Sequence, residues 1–201
     1  RILNNLVNVN IRELEGKKFV YYPLHVEPEV ALQTMSPEFY FQHALIVSIA
    51  ANLPAGIKLV VKEAFGAVGR RPPTFYKQIR DLKNVLLADP KEAGVDYAMN
   101  AHITVTITGT AGFEAAVNGN SVITLGQHNN YNIMPNVYMV KNFNEINNLL
   151  KDLLSLEYGY KHSLLGGKRY IRALKKIAFD FSDYNFLNFK NFSTDSVNGC
   201  A

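Results

Sequence analysis

The residues most able to do chemistry stand together at Thr108-Gly109-Thr110-Ala111-Gly112, with Glu114 just beyond. An alternating apolar run (Ile103, Val105, Ile107) leads into this small-residue turn, and a helix-like stretch leaves it. Strand, turn and helix in that order aim unpaired backbone N–H groups and the positive end of a helix dipole at one point, which suits a phosphate. The threonine hydroxyls add donors, and the glycines let an anion approach closely. Glu114 on the first turn could accept from a ribose hydroxyl, as acidic residues do in dinucleotide folds. The same residues also fit a plain helix start, with Thr as N-cap and Glu114 as a capping-box carboxylate.

Other candidates sit where strands should end. Lys62 and Glu63 close the apolar run Ile57–Val61, and a Lys there could neutralise a phosphate. Arg70 and Arg71 follow within the same loop. His25, Glu27 and Glu29 come after the run Phe19–Pro23. A carboxylate there serves acid–base chemistry only within hydrogen-bond reach of a substrate, and a polar loop shaped by Pro28 accounts for these residues as well. Gln127 and His128 follow the apolar segment Val122–Leu125 and are further candidates for ligand contact. His43, His102 and His162 fall inside helical or strand-like patterns and read as structural.

These sites need elements to hold them, and the chain supplies alternating strands and helices. Expected strands are 19–23, 57–61, 85–87, 103–107, 122–125 and 137–140. Expected helices are 37–52, with Ser36 as N-cap, then 74–82, 92–100, the stretch after Thr110, 144–156 and 168–179. Residues 2–14 read as a short amphipathic helix or a frayed connector, weakened by four asparagines. Repeated βα units with short links imply an α/β fold, a parallel sheet with helices on both faces. The division that follows is a connector or helix at 1–16, one ligand-binding domain at 17–156, and a C-terminal helix with a polar, aromatic tail at 157–201.

Composition narrows the class. The chain has 201 residues, 48% hydrophobic and 19% charged, enough for a substantial core. Its net charge of +4 reads as spread out, without the basic run of a nucleic-acid groove. A single cysteine, Cys200, rules out a disulfide framework, and the five histidines lack metal-ligand spacing. No metal and no cofactor are expected. No apolar run reaches the ~18 residues of a membrane span. The start at Arg1, without Met or signal peptide, reads as that of a trimmed or partial chain.

Several of these residues recur as an ordered set. Phe19-Val20-Tyr21-Tyr22-Pro23-Leu24-His25 precedes Glu27-Pro28-Glu29. Leu53-Pro54, Lys62-Glu63, Asn84-Val85 and Asp89-Pro90 come next. Thr108-Gly109-Thr110-Ala111-Gly112-Phe113-Glu114-Ala115, Val122-Ile123 and Leu125-Gly126 complete it. Over roughly residues 17–155 the chain thereby resembles the bacterial capsule polysaccharide synthesis family, which includes the 3-deoxy-manno-octulosonic acid (Kdo) transferases of capsule export. The resemblance implies a Rossmann-like domain, the C-terminal, donor-binding half of a GT-B glycosyltransferase. It implies a nucleotide sugar such as CMP-Kdo as donor, a glycan as acceptor, and an N-terminal half elsewhere carrying the general base. The half alone should bind nucleotide weakly and not turn over. The expected setting is the cytoplasm, and the basic balance, with a pI near 9.0, hints at the inner face of the bacterial membrane. The family usually continues Lys-Glu with a His-Pro pair that is thought to contact the donor phosphate, where this chain has Ala64-Phe65. Arg70 and Arg71 are then the expected source of the missing charge. A non-catalytic α/β binding module and a nucleotide-sugar epimerase half are the alternatives.

Overall fold

Apolar residues on both sides of each strand require cover on both faces of the sheet, and the computed structural model, which describes residues 5–155 and 160–178, provides it. Six strands, β1 (Phe19–Pro23), β2 (Lys58–Lys62), β3 (Val85–Ala88), β4 (Ile103–Thr106), β5 (Ser121–Thr124) and β6 (Val137–Met139), form one sheet in the order β3-β2-β1-β4-β5-β6. Every pairing is parallel. The helices are α1 (Gln42–Asn52), α2 (Pro73–Arg80), α3 (Gly94–Asn100), α4 (Thr110–Val117), α5 (Phe143–Ser155) and α6 (Tyr160–Ile177).

The two-residue period of a strand sorts its side chains between two cores. Val20, Tyr22, Leu59, Val61, Val105 and Ile123 meet residues of α1, α2 and α5 on one face. Phe19, Tyr21, Val60 and Val122 meet α3 and α4 on the other, where Tyr170 of α6 also packs. Chain order reverses direction between β1 and β4. In such a sheet the carboxyl ends of the strands diverge at that point and leave a crevice.

Local departures from the expected elements have physical causes. Among the described residues of the N-terminal stretch only Ile11–Leu14 turns helically, capped by Asn10 in a capping box with Glu13. Upstream, the Asn8 side chain accepts from the Leu87 N–H and Val9 bridges to Ala88, so this connector extends β3's edge instead of forming a helix. The helix expected from Pro37 breaks into a short turn at Pro37–Phe39 and α1, because Phe41 leaves helical geometry (ψ 78°) where Gln42 begins α1. Ser36 makes no capping hydrogen bond. Helix α6 starts eight residues before its expected start at Lys168, running through Gly166 and Gly167. A Cβ at Gly167 would lie 2.3 Å from the Val117 carbonyl oxygen, so glycine here permits close packing on α4 and does not end the helix. The tail expected from Asp180 onward lies outside the described residues. Among the described residues no helix is long and apolar enough to cross a membrane.

Candidate active site

A cleft of about 760 Å³ opens at the carboxyl ends of β1 to β4. Its walls are Pro23 to Val26 and Glu29 after β1, Lys62 to Phe65 at β2, Pro90 to Glu92 after β3, and Thr108 to Ala111 with Glu114 at β4–α4. The predicted turn, the Lys62-Glu63 edge, His25 and Glu29 therefore meet in one place.

At the turn, the first two N–H groups are engaged inside the protein. Thr108 N–H donates to His25 Nε2 (3.0 Å) and Gly109 N–H to Thr106 Oγ1 (3.1 Å). The next two, on Thr110 and Ala111, have no partner among the described residues, since α4 begins with Gly109 as N-cap and no side chain caps it. Thr108 is thus not the N-cap. Nor is Glu114 a capping-box carboxylate, because Gly112 occupies the third helical position that a capping box uses. Glu114 is half-buried on the cleft wall, and burial pushes its carboxyl group's pKa up. The glycines are needed for contact. A Cβ on Gly112 would fall 2.5 Å from Thr106 Cγ2 and 2.7 Å from the Tyr131 hydroxyl, which itself donates to the Gly109 carbonyl at 2.9 Å.

Lys62 is 6% exposed. Its ammonium donates to the carbonyls of Glu63 (3.3 Å) and Pro90 (3.2 Å), which leaves one of its three hydrogens for the cleft. Burial pulls its pKa down, opposed by the nearby carboxylates of Asp89, Glu92 and Glu63. Lys62 is the buried cation that faces the ligand space.

Arg71 is not. The structure corrects the expectation that it supplies phosphate-binding charge. Its guanidinium is buried and paired with Glu63 and with Glu27 (3.3 Å), donates to the His25 carbonyl, and lies 5.3 Å from the centre of the Phe75 ring. Glu63 also accepts from the Tyr76 hydroxyl (2.7 Å) and the Ala64 N–H (3.0 Å). Two carboxylates surround one guanidinium, so little of its field is left for a ligand. Glu27 faces this cluster and does not line the cleft. Arg70 and Gln127 are exposed and lie off the cleft walls, as does His128.

His25 links the two regions. Gln42 accepts from its N–H (2.8 Å) and donates to its carbonyl (3.0 Å), while its Nε2 accepts from Thr108. Burial, with the Arg71 charge beside it, pushes its pKa down to about 4, so the ring is neutral at pH 7 and can accept. Gln42 also bonds Tyr22 and Glu27, and sequence reading passes over it because its partners are 15 to 20 residues away. Tyr21 and Tyr97 were missed for the same reason. Their rings stack at 5.6 Å beneath the cleft, and the Tyr97 hydroxyl donates to Glu92. Among the described residues no group of His, Cys, Asp and Glu could hold a metal ion.

No family model matches the chain. No curated protein matches it by sequence either. Solved structures do match by fold. The β-Kdo 2,7-transferase of KpsC from Thermosulfurimonas dismutans aligns over 83% of this chain and 52% of its own, with 18% identity and a TM-score of 0.50. The UDP-GlcNAc 2-epimerase of Methanocaldococcus jannaschii aligns over 87% and 49%, with 12% identity and a TM-score of 0.54. The spinosyn rhamnosyltransferase SpnG, complexed with thymidine diphosphate, aligns over 80% and 44%, with 12% identity and a TM-score of 0.53. The chain spans about half the length of the structures it matches. It has the Rossmann-like fold found in GT-B glycosyltransferases, Kdo transferases among them.

Proposed function

We propose that this chain is the donor-binding half of a glycosyltransferase in surface polysaccharide assembly, using a sugar activated by a single nucleoside phosphate, of the CMP-Kdo type. The observation that carries the reading is the meeting, in one cleft, of two unpaired N–H groups (Thr110, Ala111) and one hydrogen of a buried ammonium (Lys62). Such donors stabilise the charge on a departing nucleoside phosphate, which is the chief electrostatic demand of glycosyl transfer. Three donors, one of them a buried cation, match the two non-ester oxygens of one phosphodiester. A diphosphate brings about twice the charge into a cleft that also carries Glu29, Glu92 and Glu114. Lys91 on the cleft wall is the remaining ammonium, suited to the carboxylate of an acidic sugar. Glu114 would accept from ribose. The acceptor and its general base belong to a second domain, in keeping with the chain's share of the proteins it resembles.

The fold likeness to a UDP-GlcNAc 2-epimerase supports a second reading, a nucleotide-sugar epimerase half that takes a diphosphate. Calorimetric titration with CMP, UDP and GDP separates the two. The transferase reading expects saturable CMP binding, weaker UDP binding, and a loss of at least about tenfold in Lys62→Met, the size of one hydrogen bond to a charged group. Preference for UDP would favour the epimerase reading. No binding by any nucleotide at millimolar concentration would favour a module that kept the fold without the chemistry.

A further inference from the structure

The basic excess is not dispersed along the chain but concentrated in one contiguous stretch, which folds as a single helix. Residues 158–179 hold Lys161, Lys168, Arg169, Arg172, Lys175 and Lys176 and no Asp or Glu, which leaves 15 basic against 17 acidic residues in the rest of the chain. Within α6, Lys168, Arg169, Arg172, Lys175 and Lys176 are all exposed, and so is Leu165. Counted from Leu165, they fall at the helical intervals of three, four, seven, ten and eleven residues, so they form a single stripe. The opposite side is the packed one. Gly167 sits against Val117, Gly166 against Pro135, and the Tyr170 ring lies 6.2 Å from Phe113.

Among the described residues nothing balances this stripe. Among the described residues both ion pairs belong to Arg71, and none of the five α6 cations has an acidic partner. Arg172 has a like charge three or four residues away in both directions, an arrangement that opposes the helix. The helix dipole favours Lys175 and Lys176 in the last turn, but it does not reach Lys168, Arg169 or Arg172. The charge has the form of a surface built for an external polyanion.

We infer that the exposed face of α6 docks the protein on an anionic lipid bilayer. A straight stripe of five cations suits a flat array of headgroups, each cation gaining near the surface. Apolar residues accompany it, as on helices that lie in a membrane interface: Leu165 is 46% exposed on the stripe and Ile177 82% exposed at the helix end. Nucleic acid fits less well. Single strands are held by stacking on aromatic rings, and the aromatic ring of the described outer half of α6, Tyr170, is turned into the protein. The inference does not depend on the reading of the cleft, which uses other residues.

The test is flotation of the full chain with vesicles. Binding is expected to phosphatidylcholine vesicles carrying about one-third phosphatidylglycerol and not to pure phosphatidylcholine. It should fall about a hundredfold in Lys168→Gln/Arg169→Gln/Arg172→Gln, at roughly one factor of five per cation. On the unaltered chain it should be largely lost at about 0.5 M salt, so the result does not rest on the variant's folding. The milder Lys168→Gln/Lys175→Gln should fall in between. Absence of binding to anionic vesicles, binding insensitive to salt, or equal binding by a folded triple variant would overturn the inference. So would tight binding of a single-stranded oligonucleotide with no vesicle binding, which would assign the stripe to nucleic acid instead.

Discussion

The β4–α4 turn and the β1–β2 edge lie on the same rim of the sheet, and both are polar, yet they use their polar groups in opposite ways. The edge closes on itself. Arg71, Glu63, Glu27, Gln42, Tyr76 and the His25 backbone bond one another, and the buried Arg71 Nε is left without a partner among the described residues. The turn stays open, because His25 and Thr106 engage only its first two N–H groups and leave the next two unpaired. Position on the ligand side of a Rossmann-like sheet does not decide which charged residue binds. The proposed site rests instead on unfilled hydrogen-bonding capacity that faces the cleft. By that measure Lys62, on the cleft wall, is the proposed ligand residue and Arg71 belongs to the framework, although they are only nine positions apart.

The largest expected effect breaks the closed region. Arg71→Ala leaves Glu63 buried beside an empty guanidinium site and should lower stability by about 3–5 kcal/mol, read as a lower denaturant midpoint. If Arg71 were instead a free ligand residue, stability would hardly change and only nucleotide affinity would fall.

Titration of His25 should weaken the joint between the regions. Its folded pKa of about 4 lies below the ordinary value of 6.5, so between those values the unfolded chain binds more protons. Stability is therefore full above pH 6.5 and declines as pH falls, by about 2 kcal/mol between pH 6.5 and 5. His25→Asn should remove most of that slope. An unchanged slope would mean that His25 is not held neutral.

Gly112→Ala sharpens the view of the open turn. Its methyl group would collide with Thr106 and Tyr131, at an expected loss of about 1–3 kcal/mol and with weaker nucleotide binding. The smallest stability effect belongs to Lys62→Met. Removing a buried, desolvated ammonium should leave the melting temperature within a few degrees while nucleotide affinity drops.

Much of this was legible in the chain. The alternation of Ile103, Val105 and Ile107 followed by a small-residue turn located β4, α4 and the cleft's donor side, because strand period, glycine and helix start are all local signals. The parallel sheet followed from repeated βα units. The pairing of Arg71 was not legible, since it depends on Glu27 arriving from the end of β1 and on the β2–α2 loop folding back onto Glu63. Tyr97 under Tyr21, and Asn120 donating to the carbonyls of Ala98, Met99 and Ala101, are likewise contacts that only tertiary structure makes. The five cations of α6 all lie within the helix expected at 168–179, but the face they share with Leu165 emerges only when α6 extends back through Gly166-Gly167, which Val117 requires to be small.

The central claim, that open donors and not nearby charges make the site, is tested most directly by backbone amide NMR of the chain titrated with CMP. The account predicts the largest shifts at the Thr110 and Ala111 amides, with smaller ones at Thr108 and Gly109, whose N–H groups already have partners. Shifts centred on Arg70 and Arg71, with the α4 amides unmoved, would contradict it.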